Sequence, residues 1–298
     1  DFSLSFLQGE PYQMVRGTWG HPGYPTFVPL VVAFPAAFLG FFGEWISKVW
    51  NFLLLATLFA MMLRRYLQWP AGGPLLPVLT LMPFLVTGVI ATASDLSADF
   101  PLAVFVAGAY YLYFQLREDE VATGPANLFA LGILAGLLPL IKNEGLFFTV
   151  PLAALFALDL RRFAGFSWWA LIAGLSIPLT FFVYYKANAP ELNPVPLTLE
   201  HILTVLVTPD RYWQVLKAAF HHHFIAFYGV VPLTLGYFFL RGYRGIWIIA
   251  PIALVHLLHN AAFFATSGER GQEHHIITAY ARLFYQWVPA YLIAAQYV

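Results

Sequence analysis

Apolar stretches recur along the whole chain and are broken only by short polar connections. They occupy 49–63, 75–93, 100–116, 126–141, 145–158, 167–185, 224–240, 246–264 and 283–298. Continuous runs of this kind predict an all-α, polytopic membrane protein with about nine transmembrane helices. Several runs fall short of the roughly 20 helical residues that a bilayer core of about 30 Å demands. Such segments either thin the membrane locally or enter a protein-lined cavity. A further apolar stretch, 25–43, carries Pro25, Pro29 and Pro35, and each proline removes a backbone donor and bends a helix. It is expected to be an interfacial or re-entrant helix that does not cross, inside a first outer loop spanning 1–48.

Orientation follows from the connections. Arg64, Arg65, Arg117, Arg161, Arg162, Arg241 and Arg244 cluster in short loops, which places those loops on the cytoplasmic side. Parity then puts 94–99, 142–144, 186–223 and 265–282 on the outer face. The longest of these, 186–223, begins with a proline-rich stretch at 188–196. It continues over 198–220 as a pair of amphipathic interfacial helices broken at Pro209-Asp210. The pattern gives one transmembrane domain over 1–298, without an internal repeat or a soluble domain.

Composition agrees and narrows the function classes. Hydrophobic residues make up 60% of the chain and charged residues 10%, with a mean hydropathy of +0.71. A soluble domain carries about a quarter charged residues, so that class is excluded. The net charge is zero and the charges sit in short loops, which gives no reason to expect a nucleic-acid partner. The chain has no cysteine, which rules out disulfides, thiol catalysis and cysteine-ligated metals. Nine tryptophans and sixteen tyrosines suit aromatic belts at the two membrane interfaces.

One interruption stands out. Lys142-Asn143-Glu144-Gly145 places a cation, an amide and a carboxylate between two apolar segments, where charged groups are expensive unless they serve a polar cavity or lie at a membrane face. An ordinary turn, with Lys142 snorkelling and Gly145 ending a helix, is the plainer alternative. A second acidic interruption, with Asp95 and Asp99, falls on the same face by parity. Together the outer face collects Asp95, Asp99, Lys142, Glu144, Arg270, Arg282 and His21. Cations there suit a lipid-linked phosphate, and a carboxylate, with or without a divalent metal, suits work on an attacking hydroxyl. Histidine offers other options: His256 and His259 at helical spacing for haem, or the clusters His221-His222-His223 and His274-His275 for zinc.

The order His21-Pro22-Gly23-Tyr24-Pro25, Ala98-Asp99-Phe100-Pro101-Leu102-Ala103, Lys142-Asn143-Glu144-Gly145-Leu146 and Ala281-Arg282-Leu283 resembles the GT-C membrane glycosyltransferases. It is most similar to bacterial relatives of the protein O-mannosyltransferases and of the lipid A aminoarabinose transferases, through essentially the whole chain. The resemblance implies an inverting transferase of the bacterial inner membrane that moves a sugar from a polyprenyl-phosphate donor to an acceptor on the periplasmic or extracellular face. It implies phosphate-binding roles for Lys142 and Arg282 and catalytic roles for Asp99 and Glu144. These families also place an essential acidic residue in the first outer loop, after a first transmembrane helix. Here the candidates are Asp1 and Glu10, with Asp1 standing twenty residues before His21, and a transmembrane helix is expected upstream. The alternative from a different class is a non-catalytic subunit of a larger membrane complex, holding other membrane subunits rather than a substrate. A transporter would show inverted repeats.

Overall fold

In a computed structural model of the chain the described residues are 27–40, 44–68, 98–118, 124–159, 168–188, 209–221, 229–241 and 272–297, with the single residues 203, 207 and 224. Among them the fold is all-α, without a strand. The helices are α1 (Phe27–Leu39), α2 (Glu44–Gln68), α3 (Asp99–Glu118), α4 (Pro125–Ile141), α5 (Gly145–Leu158), α6 (Trp168–Asn188), α7 (Pro209–Phe220), α8 (Val230–Arg241) and α9 (Gln272–Gln296). Two of them are long and apolar enough to cross a membrane, Trp45–Gln68 and Trp168–Asn188. Three shorter apolar helices are α1, α4 and α5. The expected spans at 75–93 and 246–264 lie outside the described residues.

The bundle is arranged around α3. Its buried residues run all round the helix, from Asp99, Phe100 and Pro101 to Tyr113, Phe114 and Leu116, which is the mark of a helix enclosed by others. Helices α2, α4, α5 and α9 all pack on it. From α2 it receives a stripe of Leu54, Leu58, Met62 and Arg65, spaced at three and four residues so that all four share one face.

The far end of α3 is closed by ion pairs. Arg65 donates through Nη1 and Nη2 to the two oxygens of Glu118 at 2.7 and 2.8 Å. Its Nε donates to the Gln296 carbonyl at 3.1 Å, and its guanidinium lies 3.9 Å over the Tyr297 ring. One side chain thereby joins α2, α3 and α9. Nearby, Asp159 accepts from the Tyr113 hydroxyl and pairs with Arg117 Nε at 3.1 Å, which fastens the end of α5 to α3.

Helices α4 and α6 run parallel and touch backbone to backbone. A Cβ added at Gly132 would stand 2.2 Å from the Leu171 carbonyl oxygen, and one at Gly174 would stand 2.2 Å from that of Phe129. Gly136 faces Leu175 and Pro178 in the same register. Small residues four apart allow this close backbone approach. Helices α4 and α5 are held differently. Pro139 has no N–H, so the Ala135 carbonyl loses its usual intrahelical donor, and the Thr149 hydroxyl of α5 donates to it at 2.9 Å.

The helices extend past the apolar runs. Arg64 and Arg65, expected in a loop, belong to α2, because Arg65 is paired and its helix has no cause to stop. Residues 272–282, expected as outer loop, form the first turns of α9, since Gln, Glu, Ala and Arg are good helix formers whatever their hydropathy. Lys186 likewise belongs to α6, and α2 begins at Glu44 within the stretch expected as first outer loop. The second amphipathic helix of the 186–223 segment is α7, which starts at Pro209, where a proline fits the first turn.

The glycine contacts between α4 and α6 can be tested by thermal unfolding of the purified chain in detergent. Gly132→Leu and Gly174→Leu drive a side chain into a facing backbone and are expected to destabilise by about 1–3 kcal/mol or more. Gly236→Ala in α8, where an added Cβ meets nothing within 4 Å, is expected to be neutral or to stabilise by about 0.5–1 kcal/mol.

Candidate functional site

The site forms at the opposite end of α3 from Arg65, and three separate segments build it. Asp99 opens α3. A carboxylate in the first turn meets the positive end of the helix, and Pro101 follows where a missing N–H is not needed. The second segment is the connection between α4 and α5. Lys142 ends α4 in an extended conformation while its N–H still donates to the Leu138 carbonyl at 3.2 Å. The next helix starts at once: Gly145 N–H donates to the Lys142 carbonyl at 2.8 Å and Phe147 N–H to that of Glu144 at 3.0 Å. Gly145 sits so close to the end of α4 that an added Cβ would lie 2.0 Å from the Leu138 oxygen. Only hydrogen fits, which explains why glycine follows Lys-Asn-Glu. The third segment is α9, from which Arg282 and Gln286, four residues apart, project on one face.

Side chains from the three segments converge on Asp99. Lys142 Nζ lies 2.7 Å from Asp99 Oδ1 and 3.2 Å from Glu144 Oε1. Gln286 Nε2 donates to the same Oδ1. Arg282 Nη1 stands 4.0 Å from Asp99 Oδ2, beyond hydrogen-bond reach. Two carboxylates and two cations balance. Exposure rises outward through the group: the side chain of Asp99 is 3% exposed, Lys142 10%, Glu144 21% and Arg282 49%. Gln286 is fully buried, and its Oε1 has no hydrogen-bond partner among the described residues.

This geometry assigns different tasks to the four charges. Asp99 is enclosed, and its Oδ1 already accepts from Lys142 and Gln286. Arg282 is half-exposed and stands at the open side of the group. Glu144 lies between the buried pair and solvent. The described donors fit a metal poorly. The Lys142 ammonium already occupies the position between Asp99 and Glu144 where a cation would sit. Among the described residues no three His, Cys, Asp or Glu side chains gather in one place.

Of the residues singled out in the sequence, the structure brings Asp99, Lys142, Glu144 and Arg282 together. Asp1, Glu10, His21, Asp95 and Arg270 lie outside the described residues, as do His256 and His259. Gln286 was not anticipated. Its signal in the sequence is a polar side chain inside the last apolar run, one helical turn after Arg282. The chain matches no family model, and no curated protein or solved structure is significantly similar to it.

A double-mutant cycle tests whether the buried pair is coupled as drawn. Asp99→Asn leaves Lys142 with Glu144 alone and Lys142→Met leaves Asp99 with Gln286 and the more distant Arg282, so each is expected to destabilise, by up to about 3–5 kcal/mol, read by thermal unfolding in detergent. The double variant is expected to cost less than the sum of the two. Additive losses would show that the two groups do not interact.

Proposed function

We propose that the chain is a membrane-embedded GT-C-type glycosyltransferase of the bacterial inner membrane, with about nine transmembrane helices. It moves a sugar from a polyprenyl-phosphate donor to an acceptor on the outer, periplasmic face. Several features support the membrane placement. The two ion-pair clusters sit at the two ends of α3, which at 1.5 Å per residue are about 28 Å apart, close to the roughly 30 Å of a hydrocarbon core. Helix α6 exposes Ile172, Ile177, Phe181 and Val183 between Trp168 and Trp169 at one end and Tyr184 near the other, the order of lipid-facing span and aromatic belts. Helix α1 has 13 residues, about 20 Å, and in this reading stays in the outer leaflet.

The observation that carries the function is the buried Asp99–Lys142 pair with Glu144 and the half-exposed Arg282 beside it, at an end of an apolar bundle. Arg282 takes the donor phosphate and Lys142, held rigid by Asp99, adds a second fixed positive charge. Both stabilise the charge that develops on the departing polyprenyl phosphate. Asp99 is a positioning residue. Glu144 orients Lys142 from the more open side. The general base is the first-loop carboxylate, Asp1 by the resemblance. The second reading, a non-catalytic subunit of a membrane complex, has one observation in its favour: Lys142 is engaged by two carboxylates, so the group is already neutral without a ligand.

A transfer assay with a supplied polyprenyl-phosphate sugar separates the two. Lys142→Gln and Arg282→Gln each remove a charged hydrogen-bond donor worth roughly 1.5–3 kcal/mol, so each is expected to slow transfer about ten- to hundred-fold. Lys142→Arg keeps the charge in a larger planar fork and is expected to retain partial activity. Wild-type turnover in both Gln variants would overturn the phosphate roles. No turnover by the full-length wild-type protein would favour the subunit reading.

A further inference from the structure

Helix α7 has two unlike faces. Val215 and Ala218 are buried in the core cluster, and α7 packs on α9. On the other side Tyr212, Trp213, Leu216 and Phe220 are exposed, at 44%, 58%, 57% and 58%. At 100° per residue these four fall within a stripe about 100° wide. The stripe continues past the helix, where exposed Phe224 stacks on Phe220 with ring centroids 5.0 Å apart. At its edge the Lys217 ammonium lies 5.4 Å from the Trp213 ring centre. Asp210, in the first turn, lies about 60° beyond the stripe's edge, on the same side as Lys217.

We propose that this face is a docking surface for anionic lipid headgroups: α7 lies in the membrane interface with its aromatic stripe inserted at the boundary of headgroup and acyl chain. The chemistry of the stripe selects this occupant. Tyrosine and tryptophan are amphipathic and prefer the interfacial depth. A helix with one aromatic face and a lysine on its rim binds through buried apolar area plus attraction to lipid phosphate. Lys217 supplies the charge complementarity, and its stem can lie on Trp213 while its ammonium reaches outward. The inference has a structural consequence, because the buried side of α7 rests on the helix that carries Arg282 and Gln286. Lipid contact on one side of α7 is thus one layer of packing from α9 on the other.

The inference rests on the membrane placement above but not on glycosyl transfer. The chain has no cysteine, so single labels can be introduced without background. The full chain in nanodiscs containing phosphatidylglycerol would carry an environment-sensitive fluorophore at Leu216→Cys, Asp210→Cys or Phe181→Cys, the last on the exposed face of α6. The Leu216 label is expected to be quenched by lipids spin-labelled near the glycerol and protected from a water-soluble quencher. The Asp210 label is expected to be more open to the water-soluble quencher than the Leu216 label, and the Phe181 label to be quenched by spin labels deep in the acyl chain. In the Leu216→Cys background, Lys217→Glu is expected to lower the inserted-to-free ratio about fivefold in anionic but not in zwitterionic bilayers. A Phe181 label that lipid quenchers cannot reach would overturn the membrane placement itself. With Phe181 quenched as expected, a Leu216 label open to the aqueous quencher would overturn the docking surface. So would one shielded from both quenchers, which would mean that a protein segment covers α7. No dependence on lipid charge would remove the headgroup contact.

Discussion

A charge enclosed among apolar helices has to be answered by a partner, and this requirement shapes both ends of the bundle. Asp99 and Lys142 are each nearly inaccessible and meet at 2.7 Å. Arg65 is equally enclosed and grips Glu118 with both terminal nitrogens. Replacing such pairs by well-packed apolar residues often leaves stability unchanged, whereas losing one member is costly. Their value is therefore specificity: each pair permits one register of α3 against its neighbours and penalises a slip by a turn. The two clusters differ in one respect. The Arg65 end is finished off by a carbonyl and an aromatic face, while the Asp99 end grades outward to a half-exposed arginine 4.0 Å from its nearest carboxylate.

Between the ends, backbone groups set the packing. The α4–α6 contact has no side chains between the helices at Gly132 and Gly174, and the α4–α5 contact supplies a hydroxyl for a carbonyl that a proline released. Only the second answers an unsatisfied polar group. A polar backbone group in an apolar interior needs a partner, and neighbouring helices provide it.

Much of this was legible in the sequence, for identifiable reasons. Apolar runs located α4, α5 and α6 closely, because their exposed faces are apolar too. The ends of α2 and α9 were misjudged, because hydropathy reports the surroundings of a side chain and not the backbone's ability to continue a helix. Arg65 and Arg282 both stopped the apolar run without stopping the helix. The grouping of Asp99, Lys142, Glu144 and Arg282 followed from parity and from the resemblance. Their separate roles did not, since a lysine held by two carboxylates and an arginine reaching solvent look alike in a list of charges. Gln286 was passed over because an uncharged residue inside an apolar run gives little signal unless its helical phase to Arg282 is considered.

The bond between Gly145 and the end of α4 has a mechanical consequence. With no room for even a methyl group at that junction, and with Thr149 fastened to the Ala135 carbonyl, the connection between α4 and α5 has no hinge. The glycine seam ties α6 to the same group of helices. Lys142 and Glu144 are therefore carried on a three-helix block, while Arg282 and Gln286 ride on α9. Asp99, bound by Lys142 on one side and Gln286 on the other, is the clasp between them.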